Sequence, residues 1–197
     1  MKNLKTIIFF AIFMSFIGSA NAQKIKLVSG SLAALKSETS INVEFTYDKN
    51  MIVGKKTEVA YVSEKKSELN QKEPGRGDKW SMSWVGDRIE RFEPKFIQLF
   101  SEEGIPVSTT PVKYTLIFHT TSTEPGFNIV MVKKNAEIDG EVTIVETANR
   151  NNVIAKLTVM NAPGRTYWGG DLDTGVRIQE CYATAGKYLG KFIKKSK

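Results

Sequence analysis

Few side chains in this sequence are equipped for chemistry. Its one histidine, His119, and its one cysteine, Cys181, cannot form the usual His/Cys zinc site, although carboxylates alone would still serve a hard cation. No metal site is therefore expected. Cys181 lies on the apolar side of an amphipathic segment, the setting of a buried, inert thiol. His119 stands beside Thr120 and Thr121, where a hydroxyl nucleophile with an imidazole base is conceivable. No Gly-x-Ser-x-Gly elbow supports that reading, and a structural or surface histidine is expected instead. There is no glycine-rich phosphate cradle of either common pattern, so no nucleotide cofactor is expected.

The best remaining candidate is the stretch Arg165-Thr166-Tyr167-Trp168-Gly169-Gly170-Asp171-Leu172-Asp173. Its glycines permit unusual backbone angles, and its adjacent aromatics offer stacking surface. Arg165, Tyr167, Trp168 and Asp171 are the expected ligand-binding residues, for a sugar, a peptide or a cation. Acids at the start of the following helix disfavour an anion there. The competing reading is structural: Asp173 caps that helix and pairs with Arg177, while Trp168 packs on the sheet edge. No catalytic residue is assigned. Arg76-Gly77-Asp78 spells an integrin tripeptide, but a turn ending in an N-cap aspartate explains it as well.

The elements that must position these residues follow from hydrophobic periodicity. Lys24 to Lys36 reads as a strand or lead-in. Ile41, Val43, Phe45 and Tyr47 alternate with polar residues as a half-buried strand does. Between Thr57 and Lys72, the positions of Val59, Val62 and Leu69 suit a helix, although residues 59–62 fit an extended segment equally; Pro74-Gly75 ends it. Trp80, Trp84, Arg88, Phe92, Phe96 and Phe100 recur every four residues, which makes one helical face, with Val85, Ile89 and Leu99 filling it. Pro94 implies two helices or one kinked at Glu93-Pro94. Asp78 is the expected N-cap and Gly104 the stop.

Four strands should follow, at 112–119, 127–133, 137–147 and 153–160, with turns at Glu124-Pro125-Gly126 and at 149–152. Ile138, Gly140, Val142 and Ile144 alternate with wet positions, which favours an antiparallel pair. A final helix from Thr174 to about Lys194 carries Ile178, Cys181, Tyr182, Ala185, Leu189 and Phe192 on one face. The order implies a two-layer α+β domain with a largely antiparallel or mixed sheet, and helices packed on one face.

The residues Trp80-x3-Trp84, Arg88, Phe92 and Phe96, with Tyr114-Thr115-Leu116, Glu124-Pro125-Gly126-Phe127 and Gly175-x-Arg177-Ile178-x-Glu180-x-Tyr182-Ala183, resemble the mixed α/β domains of secreted bacterial proteins of unknown function. In element order alone, the chain is more loosely similar to periplasmic curli-secretion and penicillin-binding-protein-activator modules. The resemblance spans most of the chain and implies no assigned activity.

Lys2 and Lys5 precede an apolar run from Ile7 to Ile17 and then Ala20-Asn21-Ala22, the pattern of a secretory signal peptide over residues 1–22. As a helix that run covers about 16 Å, too short for a bilayer of about 30 Å. Residues 23–197 then form one domain, exported to the periplasm or beyond. With no cysteine at the cleavage point, lipid anchoring is not expected. The net charge is +7, but without Lys2, Lys5 and the five lysines of residues 187–197, basic and acidic residues balance at 21 each. The basicity belongs to a helix C-terminus, where cations oppose the macrodipole. Nucleic-acid binding is not expected, and at most a weak attraction to an anionic membrane surface remains. Three functions follow: a non-enzymatic module for an envelope protein or glycan, an envelope-polymer hydrolase using carboxylates such as Asp171 and Asp173, or a membrane-surface protein held by the lysine-rich helix. Exported material should begin at Gln23 and carry no lipid; an intact mass that retains the leader or adds an acyl group contradicts this.

Overall fold

A computed structural model describes residues 23–129, 132–164 and 174–196, without the side chains of 128, 129, 132 and 133. Six strands form one sheet in the order β1-β8-β7-β4-β2-β3. They are β1 (Lys24–Gly30), β2 (Asn42–Val53), β3 (Lys56–Thr57), β4 (Tyr114–Glu124), β7 (Glu137–Glu146) and β8 (Val153–Pro163). β2 and β4 are parallel, and every other pair in the sheet is antiparallel. Parallel neighbours need a crossover, which is supplied by three helices: α1 (Glu58–Lys72), α2 (Arg76–Asp87) and α3 (Glu93–Glu103). α4 (Thr174–Ser196) closes the domain. The architecture is the expected α+β two-layer one.

Period-two patterning separates the faces of the sheet. Leu116, Phe118, Val142, Ile144, Ala155, Leu157 and Val159 are buried and meet α3 and α4. The opposite face is polar. Lys26, Thr158, Glu141, His119 and Thr46 pair in one row across five strands. Asn42 fixes the entry to β4: its amide donates to the carbonyls of Ser108 and Thr110, and its Oδ1 accepts from the Val112 N–H at 2.9 Å.

The four-residue aromatic repeat is buried as expected at Trp84, Phe92, Phe96 and Phe100. A step of four residues overshoots an α-helical turn by about 40°, so an unbroken α-helix would carry this row off its face. A π turn at Arg88–Phe92 resets the phase. The Glu93 N–H reaches back five residues to the Arg88 carbonyl, and Pro94, which has no N–H, follows immediately. Helical backbone thus runs from Arg76 to Glu103 through the proline. Phe96 contacts Phe45, Phe100 and Phe118, and Phe92 stacks on Tyr182 at 5.1 Å.

Four expectations need correction. Val85 and Ile89 are exposed rather than core, because each follows an inward-facing residue, Trp84 or Arg88, by about 100° of helix rotation. Asp78 is not an N-cap. α2 starts at Arg76 after Gly75, whose φ is +80°, and Asp78 pairs instead with Lys66 and Asn70 of α1. The Arg76-Gly77-Asp78 tripeptide is consequently helical, with Gly77 buried. Finally, residues 127–133 do not join the sheet. β5 (Phe127–Ile129) and β6 (Val132–Lys134) form a separate antiparallel pair, turned away at Gly126 (φ +66°).

α3 and α4 approach closely at Gly186 and Gly190, where a Cβ would lie 2.4 Å from the Phe96 carbonyl oxygen and 2.8 Å from that of Phe100. Gly186→Ala should therefore cost about 1–3 kcal/mol through overpacking. Gly86→Ala, whose Cβ would meet only the Glu90 side chain at 3.7 Å, should be neutral or stabilising by up to about 1 kcal/mol. Chemical denaturation of both variants decides; equal effects would contradict the close helix contact.

Candidate functional site

The expected ligand-binding residues Arg165, Tyr167, Trp168 and Asp171, and the expected cap Asp173, lie outside the described residues. Cys181 is fully buried in α4. Its thiol donates to the Arg177 carbonyl at 3.4 Å, and burial pushes its pKa well up, which makes it a poor nucleophile. His119 sits on the polar sheet face. Its hydroxyl partner is Thr46, 2.8 Å from Nδ1, and not Thr120, which points into the core and meets the Tyr182 hydroxyl at 2.6 Å. The Asp48 carboxylate stands 3.9 Å from the other ring nitrogen, beyond hydrogen-bonding distance. The cross-strand pairing of β2 with β4 makes this grouping, which sequence spacing could not show.

The structure also brings together segments far apart in the chain. Arg177, on the first turn of α4, donates to the carbonyls of Pro125 and Gly126 at 2.9 and 3.3 Å and so clamps the β4–β5 turn. Beside it, the Trp84 indole N–H and the Arg88 guanidinium both donate to one Glu58 oxygen, the indole at 2.7 Å. Arg88 lies 4.1 Å from the centre of the Tyr47 ring, and the Tyr47 hydroxyl donates to Glu93 at 3.1 Å. Burial raises the Glu93 carboxyl pKa despite the Tyr47 hydrogen bond and Arg88. It also drives the Tyr47 and Tyr182 hydroxyls far above the usual phenol range. The void at this junction, lined by Tyr47, Arg88 and Tyr182 among others, measures about 10 Å³, which leaves no room beyond a single water. This network joins the elements and does not admit a ligand.

Next to the clamped turn lies an open groove of about 550 Å³, within the range of small-ligand sites. Its apolar wall includes Val53, Tyr61, Pro125 and Phe127, and its rim alternates Lys55, Lys56, Lys65 with Glu64, Glu68, Glu124. Phe127 is exposed, and Tyr61 is held by the rings of Trp80 and Trp84 at 6.0 and 5.2 Å. Each rim carboxylate has a lysine partner: Glu64 has Lys56, Glu124 has Lys134, and Glu68 has both Lys65 and Lys72. The two lysines on Glu68 hold its carboxyl below the usual range. A general acid needs the opposite shift. The groove thus presents stacking surface and fixed charges of both signs, suited to a polar ligand with an apolar face. Sequence reading missed it because its walls come from α1, the β2–β3 hairpin and the β4–β5 turn. The Glu124-Pro125-Gly126-Phe127 turn was the one available signal.

A second hollow of about 450 Å³ lies between α3, α4 and the end of β8, with Lys95, Glu180, Lys187 and Tyr188 on its walls. Among the described residues, no group of three or more His, Cys, Asp or Glu is placed to hold a metal, and no helix is long and apolar enough to cross a membrane.

No protein-family model matches the chain, and no relative emerges among well-described proteins. Among solved structures it is similar to the PelC dodecamer from Paraburkholderia phytofirmans, at 10% identity over 86% of this chain and 98% of that one, with a TM-score of 0.38. A point variant of the same protein gives 11% identity, 84% and 98% coverage, and a TM-score of 0.35. Protein XCC0632 from Xanthomonas campestris, of family DUF330, gives 8% identity, 80% and 84% coverage, and 0.37. At this distance no residue role transfers, and function rests on the site itself.

The junction network contributes to the pH dependence of stability. The raised tyrosine values mean that their contribution is intact below the unfolded pKa of about 10 and is lost as pH rises through the folded values. Glu93 has the same sign in the acid range: its contribution is complete below the unfolded value of about 4.3 and is lost on going to neutral pH. Glu93→Gln, which keeps an acceptor for Tyr47, should raise the melting temperature near neutrality and leave it little changed near pH ~4. A lower melting temperature at neutrality would show that the charged carboxylate stabilises the fold.

Proposed function

We propose that the protein is an exported, non-enzymatic binding module for an envelope component, a protein segment or a glycan, received in the groove between α1 and the β4–β5 turn. The supporting observation is the pairing of every rim carboxylate with a lysine beside exposed Phe127 and ring-packed Tyr61. Fixed, compensated charges orient a polar ligand without supplying a proton, and aromatic rings take the apolar face of a sugar or a side chain. The export expected of residues 1–22 supports the compartment. Of the sequence-based candidates Arg165, Tyr167, Trp168 and Asp171, we propose that they contribute to ligand contact as well. The two sets are separable by experiment.

Isolated envelope glycan and extracted envelope protein should be tested separately for retention on the immobilised mature chain. Phe127→Ala and Lys56→Glu, both at exposed positions, should weaken retention of one fraction by about tenfold or more with unchanged thermal stability. Retention lost in Trp168→Ala and Asp171→Asn but unaffected in both groove variants would move the site to residues 165–173. Turnover of either polymer would refute the non-enzymatic reading.

A further inference from the structure

α1 and α2 form an antiparallel hairpin whose outer side is apolar and has no partner among the described residues. Val59, Met82, Val85 and Ile89 are 74%, 68%, 56% and 73% exposed. Met82, Val85 and Ile89 follow Asp78 at helical spacings of four, three and four, so all four share one ridge that runs from α2 into the π turn. Across the hairpin, Glu58 meets Trp84 and Arg88, while Lys66 meets Asp78. Val59 is therefore level with Val85. It also lies seven residues before Lys66, on the same side of α1. The four side chains make one patch. The groove residues Tyr61, Lys65 and Glu68 occupy other positions around α1, so the patch and the groove do not compete. Exposed apolar patches of this kind mark association surfaces.

The charges beside the patch indicate its occupant. Lys79, Ser83 and Gly86 of α2 and Glu90 of the π turn form the adjacent ridge, and the contact available between a Cβ at Gly86 and the Glu90 side chain at 3.7 Å places Glu90 along it. Neither Lys79 nor Glu90 joins an ion pair among the described residues. In a two-fold assembly with antiparallel α2 helices, equivalent ridges face each other. With the axis at Val85, residue 82 is level with residue 88 of the second copy, and residue 79 with residue 91 of the second copy. Met82 then comes within one residue, about 1.5 Å, of the level of Ile89 of the second copy, and Lys79 equally close to that of Glu90 of the second copy. Val85 and Val59 each lie close to their own counterparts. The patch is self-complementary in shape of pattern and in charge.

We infer that this chain forms a two-fold dimer through the outer side of the α1–α2 hairpin, with Val59, Met82, Val85 and Ile89 at its centre and two Lys79–Glu90 pairs at its rim. Sedimentation of the mature chain over a range of concentrations tests it. The wild type should dimerise, and Val85→Asp and Ile89→Asp should be monomeric with unchanged melting curves. Lys79→Glu and Glu90→Lys should each weaken the dimer by about tenfold, and the double exchange should restore it. A wild-type chain that stays monomeric at every concentration overturns the inference. A dimer insensitive to Val85→Asp and Ile89→Asp also overturns it, as does a charge exchange that fails to restore association. A monomer that binds anionic phospholipid vesicles, and loses that binding in Val85→Asp, assigns the patch to a lipid surface instead.

Discussion

The close contact of α3 with α4 is the constraint on which the core depends. Gly186 and Gly190 lie one helical turn apart, and side chains there would run into the carbonyl oxygens of Phe96 and Phe100. Without a Cβ at these positions the two backbones touch, and Phe96 and Phe100 are driven sideways into the sheet instead of holding the helices apart. Phe96 then reaches Phe45 on β2 and Phe118 on β4 together, which places the one parallel strand pair under the same ring. The π turn serves this contact too. It rotates α3 so that Phe92 and Phe96 both face inward after Trp84, and so that Phe92 stacks on Tyr182 of α4.

Much of this was legible in the residues and some was not. Alternation gave β2 and β7 because each has one wet and one dry face. The final helix was legible because its apolar stripe is long and unbroken. The aromatic repeat correctly named the buried rings but assigned Val85 and Ile89 to the same side, although each follows an inward-facing residue by about 100° of helix rotation. The outward side of Val59 was equally hidden, because a valine at a helical spacing carries no mark of whether a partner exists. Residues 127–133 read as a strand, and their composition does not record that Gly126 turns them out of the sheet. The groove is a tertiary product: Tyr61 and Phe127 are sixty-six positions apart, and no spacing rule joins them.

The hairpin of α1 and α2 has a different energetic character from the rest. Leu69 is the one buried apolar side chain of α1, and α2 adds Trp84. The hairpin's cohesion comes from Tyr61, Trp80 and Trp84 and from polar contacts such as that of the Gly77 N–H with Asn70 at 2.7 Å. It is fixed to the body at its inner end, where Glu58 gathers Trp84 and Arg88 beside the π turn. Elements with few buried apolar contacts open at lower free energy than the core they adjoin. The hairpin's geometry can therefore respond to a ligand or a partner more readily than that of the core.

That position gives the junction its significance. Arg88 pairs with Glu58 and covers the Tyr47 ring, and Tyr47 hydrogen-bonds Glu93, at the first turn of α3. Close by, Arg177 ties the start of α4 to the β4–β5 turn that forms one wall of the groove. One wall of the groove thus belongs to the β2–β3 hairpin and the β4–β5 turn, which Arg177 holds to α4, and the other to α1. Any displacement of α1 changes the width of the groove and strains the Glu58–Arg88 contact together. A partner on the hairpin's outer side, by favouring one position of α1, would consequently favour one groove width. The partly buried Glu58–Arg88 pair stands between the two faces of α1, so a change of groove width from the outer side needs no longer pathway through the core.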